Sequence, residues 1–298
     1  YEHGDGRVHN IDEGQGPVML FVHGTPDWNL GSRHPIKAFS ATHRGVAVVH
    51  PGFWISDKPA DADCMVAAHT RRLQGLIDKL DLKDLTLVVT DFGGGIGLQH
   101  ALERPCNVKH VVLYNTWMWD LMPDKRFARP ARIMNSWLGR FLLSAHGFTV
   151  NMMMPNAYGD KSRLTPRIHA HDKNALPDAS SRAANFACVQ EMANAGPFWN
   201  AQWEQVDRSR NMRVLSCWGM KDGFLPNDLL PWWKQALPDA AVSAFPHPGK
   251  SCKGKRTRSW WPRCGRSSPG STTSHQAHVG CQVSRTPMCM IHGPHMWS

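Results

Sequence analysis

The sequence predicts an α/β fold in which a mostly parallel central sheet is flanked by helices, with a helical lid inserted between two strands. Short apolar runs recur along the chain, and most end at a glycine or a polar residue, as buried strands do. Amphipathic segments alternate with these runs, which favours a parallel sheet. The stretch between Trp117 and about Val206 has no such runs and is rich in Met, Trp and Pro. The length of 298 residues is ample for one large α/β domain.

The individual elements follow from the pattern of apolar residues. Strands are predicted at residues 17–24, 45–53, the start of 85–103, 110–116, 212–219 and 241–245. Residues 69–82 are predicted to form an amphipathic helix, because their leucines and isoleucine fall on one helical face. The segment 85–103 is predicted to be a strand, a tight turn and then a helix.

These elements divide the chain into four parts. The predicted parts are 1–117 (first part of the core), 118–206 (helical lid), 207–249 (second part of the core) and 250–298 (basic tail). The segment 118–206 follows a strand and is interpreted as a lid, because inserted segments of this kind commonly cover a functional site.

Charge is distributed very unevenly along the chain. The formal net charge is +10, but residues 250–298 contain only basic charged residues, and the rest of the chain is close to neutral. A nucleic-acid partner is therefore not expected. No apolar run is long enough to span a bilayer, so no membrane partner is expected either.

The cysteines have neither zinc-site nor disulfide-framework spacing, which favours a reducing compartment and a cytoplasmic location. The sequence does not specify an oligomeric state.

The turn in "VVTDFGGG" is the strongest chemical signal. A sharp strand-to-helix turn exposes its central side chain above the sheet and directs backbone N–H groups at the same point. That central residue is Asp91, and the three glycines after Phe92 permit a tight approach. An aspartate in this position can attack carbon and form a covalent ester. The alternative is that Asp91 only caps a helix.

Three further motifs accompany this turn: "VHGTP" at 22–26, "GFWISDKP" at 52–59 and "WGMKD" at 218–222. With the Asp91 turn, their order and spacing resemble the α/β-hydrolase superfamily, and most closely the haloalkane dehalogenases. The resemblance covers roughly residues 7–249. It implies an α/β-hydrolase fold with a helical lid.

The resemblance also implies a reaction. Asp91 would displace halide from a small apolar halogenated substrate, and a histidine oriented by Asp222 would activate water to hydrolyse the resulting ester. The backbone N–H of Thr25 would form half of an oxyanion or halide site.

No cofactor is expected, because "GGGIG" lacks the order of a dinucleotide-binding loop. No metal is expected from His169 and His171, which would face different sides of a helix. His23 is expected to support the loop backbone.

The halide site departs from the family pattern. Haloalkane dehalogenases usually have Asn and Trp at the positions of Thr25 and Phe92. Trp117 or Trp28 could supply an indole N–H from another direction. For Trp117, simple packing at the start of the lid is an equally good interpretation.

Other reactions remain open on the same fold. An epoxide hydrolase also uses an aspartate at this turn, but its lid usually provides two tyrosines, and this chain has only Tyr1, Tyr114 and Tyr158. A serine esterase is disfavoured because the turn presents Asp. A third hypothesis is an inactive homologue that binds small apolar ligands.

The resemblance fails at the end of the chain. Lys250 stands where the family's catalytic histidine is expected, and His247, three residues earlier, is the candidate substitute. The codons after Gly249, read one base out of phase, permit an amphipathic helix like the family's last one. We therefore expect that the tail is out of frame, which would impair the reaction. The alternative is a genuine basic tail that binds nucleic acid.

Overall fold

The computed structural model describes residues 1–3, 6–58, 63–145, 147–158 and 160–245. His247 and the tail at 250–298 lie outside these residues, so the predictions made for them stay predictions.

A seven-stranded sheet forms the centre of the described chain, in the order β3-β5-β4-β6-β7-β8-β9. The strands are β1 Glu2–His3, β2 Gly6–Arg7, β3 Asn10–Glu13, β4 Val18–Val22, β5 Arg44–Val48, β6 Leu85–Asp91, β7 Val108–Thr116, β8 Arg213–Gly219 and β9 Ala241–Phe245. Strand β3 pairs antiparallel with β5, and the other pairs in this sheet are parallel. Strands β1 and β2 form a separate short ladder.

Helices cover the sheet and also make up the segment of the chain between β7 and β8, which we call the helical interval. They are α1 Arg33–Phe39, α2 Val66–Lys79, α3 Gly93–Glu103, α4 Lys125–Met134, α5 Trp137–Ala145, α6 Met154–Ala157, α7 Pro166–Lys173, α8 Ala179–Asn194, α9 Gly196–Trp203 and α10 Leu230–Ala236. A π-helical turn at Thr149–Met153 precedes α6.

The apolar runs form strands because helices bury both faces of the sheet. Every residue of β4 is buried. Its alternate residues pack into different layers, with Leu20 and Val22 in one apolar cluster and Met19 and Phe21 in the other. The sheet therefore has a core on each side, and its carboxyl-end loops are held from both faces.

Most of the predicted elements are confirmed. Each predicted strand is present within a few residues of its expected bounds, and the helix predicted at 69–82 begins at Val66 and ends at Lys79. Strand β3 was missed because its sequence, NIDE, is polar and lies at the sheet edge. All described elements between β7 and β8 are helical. The exact bounds of the four predicted parts stay predictions.

Tryptophans join the helical interval to the sheet. The Trp119 ring lies parallel to that of Trp232, with their centroids 5.3 Å apart, and also contacts Trp203 on α9. The Trp233 Nε1 donates a hydrogen bond of 2.9 Å to the carbonyl oxygen of Thr116 at the end of β7. These contacts fix the base of the helical interval beside the carboxyl ends of the strands.

Two findings bear on the expected surroundings of the protein. Within the described ranges, no helix combines the length and apolar character needed to cross a membrane. Among the described cysteines, Cys64, Cys188 and Cys217 take part in no disulfide.

Buried histidines are predicted to make stability depend on pH. Burial, with Arg72 nearby, lowers the pKa of His69 to about 3, and burial near Arg104 lowers the pKa of His100 to about 4. The unfolded chain therefore binds protons below about pH 6.5 that the folded chain does not bind, so stability falls as pH falls. Between pH 7 and pH 5 we expect a loss of about 2 kcal/mol for each of these two histidines, measured by urea unfolding. His69→Gln should reduce this pH slope, and an unchanged slope would contradict the assignment.

Candidate active site at the carboxyl ends of the strands

A cavity of about 480 Å³ opens above the carboxyl ends of the central strands. Its wall comes from the β4, β6 and β7 loops, from the helical interval and from residues 223–226 after β8. Apolar side chains make up most of this lining, and Asp91 and Arg126 are its charged members within the described chain. A mostly apolar pocket with a few polar groups is typical of a small-molecule site.

Asp91 lies at the last position of β6, immediately before the turn into α3. Its φ of 53° is in the left-handed region, which is rare for a residue with a side chain. Two glycines allow this geometry. A Cβ on Gly24 would lie 2.3 Å from the Asp91 Cβ, and one on Gly93 would lie 2.5 Å from the carbonyl oxygen of Val22. The motif "HGTP" and the "DFGGG" turn thus pack directly against each other.

The Asp91 carboxylate is held by two backbone amides. Its Oδ1 accepts hydrogen bonds from the N–H of Thr25 at 3.2 Å and the N–H of Phe92 at 2.6 Å. In the structure the Thr25 N–H thus binds the Asp91 carboxylate itself, and its expected role towards an oxyanion or halide stays a prediction. The Thr116 hydroxyl donates to the Asp91 carbonyl oxygen at 2.7 Å and supports the turn from β7. This arrangement fixes the carboxylate at the floor of the cavity.

Asp222 lies three residues beyond β8 and is only 8% exposed. Its Oδ1 accepts the backbone N–H of Phe224 at 2.9 Å and of Leu225 at 3.0 Å. Because residues 223–226 line the same cavity as Asp91, the structure brings both predicted carboxylates to one end of the sheet. His247 lies outside the described residues.

The buried Asn115 connects the ends of β7 and β8, and sequence reasoning missed it. Its Nδ2 donates to the carbonyl oxygens of Gly219 at 3.1 Å and Leu225 at 3.2 Å, and its Oδ1 accepts the Gly219 N–H at 2.7 Å. Asn115 thereby fixes both ends of the loop that carries Asp222. No motif marks it in the sequence, because its partners are more than a hundred residues away.

A second connection, also missed, joins the Thr25 side chain to the helical interval. The Thr25 hydroxyl donates to Asn185 Oδ1 at 2.7 Å, and Asn185 Nδ2 donates to the Thr149 hydroxyl oxygen at 2.8 Å. Thr25 and Thr149 both line the cavity, whereas Asn185 is fully buried behind them. The directions of these bonds make Thr149 an acceptor from Asn185, so its own O–H proton can donate elsewhere.

The aromatic residues considered for the halide site differ in their placement. Trp117 is 2% exposed and lines the cavity, and its Nε1 has no hydrogen-bond partner among the described residues. Phe92 also lines the cavity, but its ring carries no donor and packs edge-on against Trp199. Trp28 lies outside the cavity lining and packs against Trp54 with ring centroids 4.0 Å apart.

The interpretation of His23 as a support for the loop backbone is confirmed. Its Nδ1 lies 2.7 Å from the Gly24 carbonyl oxygen, and its Nε2 accepts the backbone N–H of His50 at 3.0 Å. These partners require a proton on Nδ1, so the ring has no nitrogen left for proton transfer in the cavity.

The other candidate features do not contribute to the cavity. No tyrosine of the described ranges lines it, since Tyr158 donates instead to Asp172 at 3.1 Å and Tyr114 is buried in the sheet core. The described residues contain no group of His, Cys, Asp and Glu side chains suited to a metal ion.

The order of the strands, the turn at Asp91 and the aspartate in the loop after β8 are the features of an α/β hydrolase. A family model described as the alpha/beta hydrolase fold matches residues 17–251. The chain belongs to the α/β-hydrolase superfamily, and within it the chain is haloalkane dehalogenase-like.

This second step rests on individual relatives. The chain is 30% identical over 246 residues to haloalkane dehalogenase 2 of Mycobacterium bovis, covering 81% of this chain and 84% of that protein. It is 29% identical over 249 residues to a cis-3-alkyl-4-alkyloxetan-2-one decarboxylase of Shewanella oneidensis, with 80% and 78% covered.

Solved structures support the fold. A mutant haloalkane dehalogenase of Agrobacterium tumefaciens superposes with a TM-score of 0.78 at 20% identity, covering 89% of this chain and 96% of that one. An epoxide hydrolase of Bacillus megaterium gives a TM-score of 0.70 at 20% identity, with 86% and 96% covered.

Asn115→Ala is predicted to destabilise the fold by about 2 to 4 kcal/mol in urea unfolding, because it removes three buried hydrogen bonds and leaves backbone groups unsatisfied. Asn107→Ala is the matched control. The Asn107 Nδ2 donates a bond of 3.2 Å to the Leu82 carbonyl and lies at the long distance of 3.5 Å from His100 Nε2, so we expect a loss of about 1 kcal/mol. Equal losses in the two variants would contradict the role of Asn115 as the connection between β7 and β8.

Proposed function

We propose that the chain is a hydrolase that cleaves the carbon–halogen bond of small haloalkanes, with Asp91 as nucleophile. The observation that carries the proposal is the Asp91 carboxylate, fixed by two amides at the floor of an apolar cavity. The dehalogenase relative supports the choice of reaction.

The first step follows from the carboxylate geometry. With Oδ1 held by the two amides, the Asp91 carboxylate would attack the carbon that bears the halogen. A C–O bond forms as the C–X bond breaks, and halide leaves with the electron pair. The product is an alkyl ester of Asp91, and no proton moves in this step.

The second step needs water and a base. Water would attack the carbonyl carbon of the ester, and negative charge would develop on Oδ1, where the Thr25 and Phe92 amides already point. Asp222 would orient the histidine that accepts the water proton, and His247 is the candidate. The family match ends at residue 251, close to the start of the acid-free tail, which supports loss of the usual histidine. Turnover would then be impaired while alkylation of Asp91 remained possible.

The leaving halide needs hydrogen-bond donors in the cavity. Trp117 Nε1 is a buried donor without a partner among the described residues, and the Thr149 hydroxyl can donate because Asn185 occupies its oxygen as an acceptor. We assign these two groups to the halide, in place of the Asn and Trp expected at positions 25 and 92.

The helical interval would act as the lid. Its residues Phe127, Pro130, Met153 and Val189 are among the apolar lining of the cavity, which supports a role in excluding bulk water from the ester. The domain bounds proposed for this lid are 118–206.

Epoxide hydrolysis stays the second candidate, because it would use the same aspartate and the fold neighbours include such an enzyme. The cavity disfavours it. No described tyrosine lines the cavity to protonate an epoxide oxygen. A ligand-binding homologue without activity is the third candidate.

The test is intact-protein mass spectrometry after incubation with 1-bromobutane, with bromide measured in parallel. Impaired turnover predicts an increment of one butyl group that maps to Asp91. Asp91→Asn should abolish the increment, whereas the control Asp239→Asn, at an exposed loop position, should retain it.

Bromide release without an adduct would mean that a base completes the cycle. The absence of both the adduct and released bromide would refute dehalogenation. Turnover of an epoxide in the same preparation would then select the second candidate.

Trp117→Phe is predicted to slow alkylation of Asp91 by roughly 10-fold to 100-fold, because it removes a buried donor to the leaving halide while it keeps most of the ring. Trp28→Phe is the matched control, since the Trp28 Nε1 is also buried without a described partner but lies outside the cavity lining. The rate is read from the growth of the adduct with time. An equal effect of both substitutions would assign Trp117 to packing alone.

A further inference from the structure

Four large apolar side chains are exposed close together on α4 and α5. The exposed fractions are 61% for Ile133, 81% for Trp137, 42% for Leu138 and 52% for Phe141. Single exposed apolar residues are normal, but a cluster within nine residues indicates a surface that contacts something apolar.

Basic residues surround this cluster, and acidic ones are missing from it. Residues 125–158 contain no Asp or Glu, and their basic residues are Lys125, Arg126, Arg129, Arg132 and Arg140. Arg126 pairs with Asp124 and Asp228, whereas the other four form no ion pair with any described residue. The local charge is therefore strongly positive, although most of the chain is close to neutral.

Helical spacing places the two kinds of side chain together. On α4, Arg129 precedes Arg132 by three residues and Ile133 by four, so the three share one face. On α5, Phe141 follows Leu138 by three residues and Trp137 by four. A two-residue turn joins the helices, in which the Ser136 hydroxyl donates to the Ile133 carbonyl at 2.6 Å. We call the exposed faces of these helices the α4–α5 surface.

We propose that the α4–α5 surface docks on an anionic lipid surface. Exposed Trp, Phe, Leu and Ile beside Lys and Arg is the composition of helices that lie in the membrane interface. The apolar side chains would enter the headgroup region while the unpaired cations bind the negative lipids. The earlier expectation of no membrane partner rested on the lack of a spanning segment, and docking on a surface requires none.

A second copy of the chain fits this surface less well. A two-fold dimer places the same patch on both sides of the interface, so the unpaired arginines of one copy would face those of the other without any acid to neutralise them. An anionic lipid surface supplies the opposite charge.

The surface also borders the cavity. Arg126, Pro130, Ile133 and Met134 of α4 line the cavity wall, so an apolar ligand could pass directly from the lipid to the site. The docking proposal does not depend on the proposed reaction, and its test measures no activity.

The experiment is sedimentation of the full chain with vesicles of phosphatidylcholine, with or without phosphatidylglycerol. The wild-type chain should sediment with the anionic vesicles, and added salt should release it.

The basic residues of the tail would also bind anionic vesicles, so two variants with equal net charge decide which surface is responsible. The test variant carries Arg129→Gln, Arg132→Gln and Arg140→Gln. The control carries Lys37→Gln, Arg167→Gln and Lys234→Gln, which are exposed on α1, α7 and α10.

We expect the test variant to bind roughly 5-fold more weakly for each charge removed, and the control to bind like the wild type. Trp137→Ser should weaken binding at unchanged charge, with circular dichroism confirming that each variant is folded. Three results would overturn the proposal: no sedimentation of the wild type, equal losses in the two triple variants, or a dimer in light scattering that Trp137→Ser converts to monomer without affecting vesicle binding.

Discussion

The site depends on one backbone conformation, the left-handed φ of Asp91 between β6 and α3. Such a conformation costs of the order of 1 kcal/mol or more and persists only where its surroundings compensate. Here the Thr116 hydroxyl binds the Asp91 carbonyl, and the Thr25 and Phe92 amides bind its carboxylate. Strand β4 supplies the first amide through the loop after Val22, so the turn requires β4, β6 and β7 in their parallel register.

Backbone amides also orient the second carboxylate. Asp222 receives two of them from its own loop, and Asn115 fixes that loop to the ends of β7 and β8. Both carboxylates are thus held by main-chain groups, which move less than long side chains do. This arrangement explains how the carboxyl end of the sheet can hold two acidic groups at a fixed geometry within mostly apolar surroundings.

The sequence predicted the parts of the molecule whose signals are local. Parallel strands buried on both faces appear as apolar runs, and the turn at Asp91 appears as an aspartate before glycines. The signal failed for β3, whose residues are polar, and for Asn115 and Asn185, whose partners lie far along the chain. The overall charge was also uninformative, because residues 1–249 are close to neutral on average although they include the acid-free stretch 125–158. Such features depend on which distant residues the fold brings together.

The last strand of the sheet is more exposed than its neighbour β8. All residues of β8 from Val214 to Gly219 are buried, whereas in β9 only Phe245 is buried and Ala241 and Ala244 are exposed. A parallel strand needs cover on both faces, and in the resembling family a closing amphipathic helix follows this strand. The sequence after Gly249 has no acidic residue and lacks the expected histidine. The residues whose amides and hydroxyl bind Asp91, which are Thr25, Phe92 and Thr116, all precede β9, whereas the expected change of reading frame follows it.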